Sequence, residues 1–401
     1  MEIFRKADIL MPKEDVDFEK WSVIACDQYT SQPEYWNRVE KRVADAPSSL
    51  RIVFPEVYLG EGNARIEKIN AQMHKYLDNN TFREYKNTLI FVERTQSDGR
   101  IRCGIVGSVD LEAYDFSKDS KSPIRATEGT VLERIPPRVK IRENAPLELP
   151  HIILLMDDKE DTIIKRPQNA KKLYDFELME DGGRLAGYEI CGKDADLIIE
   201  KINAFSENAK GNLVFAVGDG NHSLATAKTC WENIKRNLTE EEKKTHPARY
   251  CLVEIENIHS KALDFEPIHR VVFDTDEKEL IEGIKKFYPN TQSTPNGGHH
   301  IKYVTKDGEG DLYIKDSGSS LAVGALQNYL DFKKVKVDYI HGEETARNLA
   351  QKGDNIAFLL PNMDKSELFD AVIKDGALPR KTFSMGEAND KRFYFEAKRI
   401  L

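Results

Sequence analysis

Residues Leu213 to Lys228 read L-V-F-A-V-G-D-G-N-H-S-L-A-T-A-K, an apolar run that passes through a glycine-bracketed aspartate into good helix formers. This pattern predicts a strand, a tight turn and a helix N-terminus. Such a turn aims backbone N–H groups and the positive end of a helix dipole at one point, where an anion such as phosphate can be held. Gly218 and Gly220 can take positive φ at no steric cost and let a ligand approach the backbone closely. Asp219, between them, projects at the C-terminal end of the strand, where it can hold Mg²⁺ or orient a hydroxyl. Asn221 is a good N-cap, and His222 in the first helical turn points toward the same anion. The same residue types equally suit a structural bend in which Asp219 caps the helix and His222 is a surface residue.

Asp27 ends an apolar V-I-A-C run, a place from which it can accept a proton from a substrate hydroxyl, with Tyr29 nearby as donor or stacking surface. An Asx turn at the strand end accounts for Asp27 as well. His299-His300 invites a metal reading, but adjacent residues on a strand face opposite ways and do not chelate one ion. The five cysteines lie far apart, so neither a disulfide framework nor a zinc knuckle is indicated, and a reducing cytoplasm is the expected setting. The 401 residues are 40% hydrophobic and 32% charged, with a formal net charge of -9. A sequence pI near 5.7 favours small-molecule partners over a standing nucleic-acid partner. No stretch approaches the ~20 apolar residues needed to span a bilayer, and the N-terminal residues carry no long apolar core, so neither membrane anchoring nor export is expected. The pattern does not specify an oligomeric state.

The elements that must position these residues are legible in outline. Three α/β segments are expected: 1–115, 116–274 carrying the G-D-G turn, and 275–401. The first holds a helix over 33–44, an amphipathic helix over 63–77 and two strands, 87–96 and 101–111, joined at Asp98-Gly99. Pro136-Pro137 must interrupt any long helix in 128–142. Strands at 151–157, 213–217 and 250–256 alternate with a helix over 194–208 and the turn helix, whose Leu224, Ala227, Trp231 and Ile234 share a face. Thr239 to Glu242 is a capping box. Beyond 274, helices at 276–287, 323–332, 343–351 and 365–374 alternate with short strands. There is no fixed-period repeat, and a mixed α/β protein of two or three lobes is the consistent fold class.

G-D-G-N-H-S-L-A-T-A-K resembles the D-G-H-H-R-x-x-A-A motif of a bacterial and archaeal family known as domain of unknown function 1015, a relative of the ParB and sulfiredoxin-like fold. Four more blocks agree in order along the chain. They are W-S-V-I-A-C-D-Q-Y-T at 21–30, R-A-T-E-G-T at 125–130 (family H-E-x-T), E-P-I-H-R at 266–270 (family P-T-H-R) and A-L-P-R-K-T-F-S-M at 377–385 (family M-P-x-K-S-T). The resemblance implies a ParB-like core that, in distant relatives, binds a nucleotide with Mg²⁺, and some of those relatives transfer phosphate, including to free serine. One departure bears on chemistry: Ser223 stands where the family has arginine, and Asn221 replaces the first histidine. Serine supplies neither the charge nor the bidentate fork with which arginine grips phosphate.

These readings together predict a Mg²⁺-dependent, nucleotide-binding phosphotransferase acting on a small hydroxyl metabolite. Phosphates would sit at Gly218, Gly220, Asn221 and Ser223, and Asp219 with Glu128 would hold the metal. Asp27 would be the general base, with His222, His269 and Arg270 steadying the phosphates. The missing cation would come from Arg270, Arg138 or the Arg380-Lys381 pair. A non-catalytic sensor of a nucleotide or other anion is the main rival, because the motif arginine is absent. A metal-dependent hydrolase using Asp219, His222 and His269 is the third possibility. Cys26, beside Asp27 but outside the phosphate turn, is not expected to act as a nucleophile.

Overall fold

The computed structural model describes residues 2–401 and has the mixed α/β fold expected from the sequence. The chain forms two compact units. The first comprises residues 1–126, 130–263 and 387–401, and the second residues 127–129 and 264–386.

The first unit is built on a large mixed sheet. Its strand order runs Tyr114–Asp115, Ile124–Arg125, Phe215–Asp219, Ile153–Met156, Tyr250–Asn257, Ile101–Asp110, Phe82–Thr95, Arg184–Ile190 and Lys171–Glu177. The two expected strands around Asp98-Gly99 pair antiparallel, Ile90 opposite Val106 through Thr95 opposite Ile101. Phe215–Asp219 lies inside the sheet, parallel to Ile124–Arg125 and antiparallel to Ile153–Met156. Being interior explains the unbroken apolar run: Leu213 to Val217 are all buried, because both faces of this strand are covered. Against it packs the helix Asn221–Ile234, which buries Leu224, Ala227 and Trp231 on the face the spacing predicts and runs, through a short 3₁₀ turn, to Asn237. Pro136 and Pro137 stand in the first turn of a short helix, Ile135–Arg142, where a missing N–H costs nothing. The Thr239 capping box forms in full, Thr239 Oγ1 accepting from Glu242 N–H while the Glu242 carboxylate accepts from Thr239 N–H.

Residues 387–401 close the first unit. Leu10 pairs with Ala397 and Ile24 with Phe393, and Phe393, Tyr394 and Phe395 enter the core cluster around Trp21 and Trp36. Arg392, nearly inaccessible, is held by Glu254 at 2.7 Å, Glu396 at 2.7 Å and the Pro150 carbonyl at 2.7 Å. A buried guanidinium is tolerated only when its donors are met this way, so Arg392 fixes the residues on either side of it.

The second unit has a six-stranded sheet ordered Gly308–Ile314, His299–Thr305, Ile356–Leu359, Phe265–Val272 and Val337–His341, with Phe383–Met385 pairing to the start of Phe265–Val272. The expected helices of this region appear at Glu277–Phe287, Ala322–Lys333, Glu343–Ala350 and Glu367–Asp375.

Candidate functional site

The two glycines of the turn do different work. Pairing between Phe215–Asp219 and Ile153–Met156 slips between Val217 and Asp219, so Gly218 is the extra residue of a β-bulge that re-aims the strand end. Only Gly220 takes the left-handed conformation, with φ 81°. Gly218 needs no positive φ because the bulge supplies the first bend. A Cβ on Gly220 would lie 2.9 Å from Ile152 Cγ1 and 3.0 Å from its Cα, so the position requires glycine on both conformational and packing grounds. Gly220 therefore occupies the N-cap, and Asn221 is the first helical residue rather than the cap expected of it. Asp219 Oδ1 accepts the Gly220 N–H at 2.9 Å.

Around this turn the first unit gathers side chains from segments far apart in sequence. Lys391 Nζ stands 3.3 Å from Asp219 Oδ2, and the two side chains are only 11% and 18% exposed. Burial by itself would raise the Asp27 carboxyl. His151, a hydrogen bond from Gln28 Nε2 at 3.0 Å and the Lys391 charge outweigh it and hold Asp27 below the usual carboxylate range. Asp27 is thus ionised at neutral pH, and Lys391 acts on both acids. Ser223 Oγ lies 3.1 Å from His151 Nε2, and His151 Nδ1 lies 2.7 Å from the Tyr394 hydroxyl. The Tyr394 oxygen in turn accepts the Cys26 N–H at 3.2 Å. This chain of contacts connects the turn helix to the residue beside Asp27. Burial, then the Asp27 charge, push the Cys26 thiol up to about 12, so it stays protonated and non-nucleophilic at neutral pH, as its position in the sequence implied.

Ser223, His151 and Tyr394 open on a cavity of about 420 Å³. Its walls are mainly apolar, with Ile52, Phe54, Met73, Ile141 and Leu149 among them. Arg138 also lines it, ion-paired with Glu56 and donating to the Arg134 carbonyl at 3.0 Å. Among the replacement cations expected from the sequence, Arg138 is the one that shares a cavity with Ser223.

The remaining expected site residues have other partners. His222 Nε2 accepts the Val131 N–H at 3.3 Å, which ties the turn helix to the loop ahead of Ile135–Arg142. Tyr29 stacks on Tyr35, with centroids 3.9 Å apart and planes 15° from parallel. Glu128, His269 and Arg270 belong to the second unit, whereas Asp27, Asp219 and His222 belong to the first. Burial raises the Glu128 carboxyl, which accepts the Thr382 N–H at 3.3 Å. Burial lowers His269 and keeps it neutral, its Nδ1 accepting the Leu360 N–H at 3.1 Å. Arg270 is fully buried and donates to the carbonyls of Ile268, Lys381 (2.7 Å) and Arg380 (2.9 Å) and to Gln327 Oε1 (3.2 Å). Its guanidinium pins the 380–381 loop of the second unit. His299 and His300 reach different partners, the Ser319 carbonyl at 2.9 Å and Asp311 at 2.7 Å, as expected of neighbours on a strand. Among the described residues, no group of three or more His, Cys, Asp and Glu side chains is placed to hold a metal ion.

Sequence reasoning missed Lys391, His151 and Tyr394. His151 heads the apolar run H-I-I-L-L-M just ahead of the strand Ile153–Met156, and a polar residue leading a buried strand is the signal that marks it. Lys391 and Tyr394 stand among N-D-K-R-F-Y-F-E, where nothing local distinguishes them.

A family model described as "Protein of unknown function (DUF1015)" matches residues 6–333, and the chain belongs to that family. No curated protein matches it. Among solved structures, the chain is similar to SbnI with a C-terminal truncation from Staphylococcus aureus: 14% identity over 70% of this chain and 82% of that one, TM-score 0.38. It is also similar to a free serine kinase in complex with AMP, at 12% identity over 73% of this chain and 90% of that one, TM-score 0.39. A conserved hypothetical protein from Pyrococcus furiosus is 11% identical over 71% of this chain and 90% of that one, TM-score 0.35. No helix among the described residues is long and apolar enough to cross a membrane.

Proposed function

We propose that this protein binds the phosphates of a nucleotide at the Gly218–Ser223 turn and transfers a phosphoryl group to a small hydroxyl metabolite. The observation that carries the reading is Lys391. The turn lacks the arginine of the family motif, and a nearly buried ammonium 3.3 Å from Asp219 is a positive charge beside the turn that could take its part. Phosphoryl transfer asks a protein mainly to position the reactants and neutralise charge, which a helix N-terminus, a lysine and a metal ion do together. Asp27, ionised and within the field of Lys391, is the group to receive the acceptor hydroxyl proton. Arg138 is a second cation for the far end of the ligand.

Asp219 suits Mg²⁺, which needs only one or two protein carboxylates when phosphate oxygens and water complete its shell. Its Oδ2 faces Lys391 and its Oδ1 accepts the Gly220 N–H, and its carboxylate would hold the ion. When bound, the ion would neutralise charge on the phosphate oxygens. The order of the five motif blocks supports a relation of the core to the ParB and sulfiredoxin-like fold.

The test is a melting screen of nucleotides with and without Mg²⁺, followed by product analysis with a panel of hydroxyl acceptors that includes serine. A ligand at a hundred times its Kd adds ~2.7 kcal/mol of stability. A protein that no nucleotide stabilises refutes the reading. One observation favours a non-catalytic nucleotide sensor instead: the Ser223 hydroxyl is engaged with His151 at 3.1 Å, and serine brings no charge to a phosphate. Stabilisation by a nucleotide with no product from any acceptor, and no effect of Asp27→Asn, would establish the sensor.

A further inference from the structure

We propose a second activity for the same unit: Ser223 is a nucleophile activated by His151, and the 420 Å³ cavity beside it takes the acyl group of a carboxylic ester. Nucleophilic serines are recognised by geometry: a base within hydrogen-bond reach, a third group that orients the base, and a local field that favours the oxyanion. All three are present here. His151 Nε2 is 3.1 Å from Ser223 Oγ. Tyr394 holds the other ring nitrogen at 2.7 Å, and its ring meets the imidazole edge-on with centroids 5.6 Å apart. Ser223 is in the first turn of a 14-residue helix, where the dipole favours negative charge.

The Tyr394 oxygen accepts the Cys26 N–H, and in the proposed resting state it also accepts from His151 Nδ1–H. Nε2 is left as the acceptor for the Ser223 hydroxyl, the arrangement a general base requires. Asp27 adds a negative charge in the field of the ring and stabilises an imidazolium. The departure of this chain from its family motif, serine for arginine, is what places a nucleophile at this point.

The step balances with water as the only co-reactant. Ser223 Oγ forms a bond to the ester carbonyl carbon while its proton passes to Nε2. The carbon–oxygen bond to the alcohol breaks, and His151 returns the proton to that alcohol. Water, deprotonated by His151, then cleaves the acyl-serine to a carboxylic acid and restores Ser223. The apolar walls formed by Ile52, Phe54, Met73, Ile141 and Leu149 select an acyl group with an aliphatic or aromatic body.

The probes are an alkyl fluorophosphonate, which phosphonylates activated serines with loss of fluoride, and p-nitrophenyl butyrate, both applied to the full chain. The expected results are a single phosphonyl adduct mapped to Ser223 by peptide mass spectrometry and release of p-nitrophenol. Ser223→Ala should abolish both, and His151→Gln should slow labelling by at least ~100-fold, the lower range of a general base. Tyr394→Phe, a positioning change, should shift the pH profile of labelling. Because the alanine variant removes the partner of His151 Nε2, Ser223→Cys serves as a check that keeps a nucleophile in place. Its alkylation by iodoacetamide should slow when His151→Gln is added. Absence of an adduct on Ser223 in the folded protein, or equal labelling rates with and without His151, overturns the proposal. None of these readouts uses a nucleotide, so their failure is distinct from failure of the phosphotransferase reading.

Discussion

Replacing Lys391 with methionine tests the functional reading most directly, because the side chain stays unbranched and of similar length while it loses its charge and its hydrogen-bond donors. At 3.3 Å from Asp219, with both groups largely out of water, the interaction in an effective dielectric near 20 is about 5 kcal/mol before desolvation is set against it. The part a ligand phosphate experiences is smaller. One charge-assisted hydrogen bond contributes about 1.5–3 kcal/mol, so a loss near 2 kcal/mol weakens nucleotide binding about 30-fold. A nucleotide present at a hundred times the wild-type Kd stabilises the wild type by ~2.7 kcal/mol, and at that concentration it should stabilise the variant by only ~0.9 kcal/mol. The assay is the nucleotide-dependent melting shift of both proteins at fixed ligand, beside Lys391→Arg, which keeps the charge and should keep most of the shift. If Lys391→Met melts normally without ligand and retains the full nucleotide shift, Lys391 is not the phosphate cation.

Three further outcomes follow from the packing. Gly220→Ala combines a left-handed φ with a Cβ 2.9 Å from Ile152, and should destabilise the protein by ~2–4 kcal/mol; an unchanged urea midpoint would show that the turn relaxes freely. Glu256, fully buried on the same strand face as Glu254, is pushed up to about 8, by burial first, against Arg102 at 2.9 Å. An acid raised in this way holds a proton in the folded state that the unfolded chain releases near pH 4.5. Stability should therefore fall as pH rises from about 4.5 toward 8 and stay reduced above it. Glu256→Gln should flatten that limb by an amount on the order of a few kcal/mol in urea titrations at pH 6 and 9, and parallel curves for the two proteins would contradict the assignment. At pH 8, brief iodoacetamide treatment should alkylate the exposed Cys191 and leave Cys26 unmodified, with peptide mapping as the readout; equal labelling would mean that Cys26 is neither raised nor shielded.

What local pattern could fix, it fixed. An apolar run closed by glycine and followed by helix formers specifies a strand, a bend and a helix start whatever surrounds them, and so do the spacing of Leu224, Ala227 and Trp231 and the capping box at Thr239. The blocks around Asp27, Glu128, Asp219, His269 and Pro379 were equally visible as a family pattern. Their partners were not. His151 precedes the turn by some seventy residues and Lys391 follows it by about 170, and only the return of residues 387–401 into the first unit, anchored by buried Arg392, brings Lys391 beside Asp219. Sequence likewise marked Arg270 as a candidate cation, whereas its buried guanidinium is committed to backbone carbonyls of the second unit. Residue type and spacing declare what a segment can do alone. The charge that completes a site is chosen by whichever distant segment the core folds against it, because burial decides which side chains are desolvated together and local sequence has no term for that.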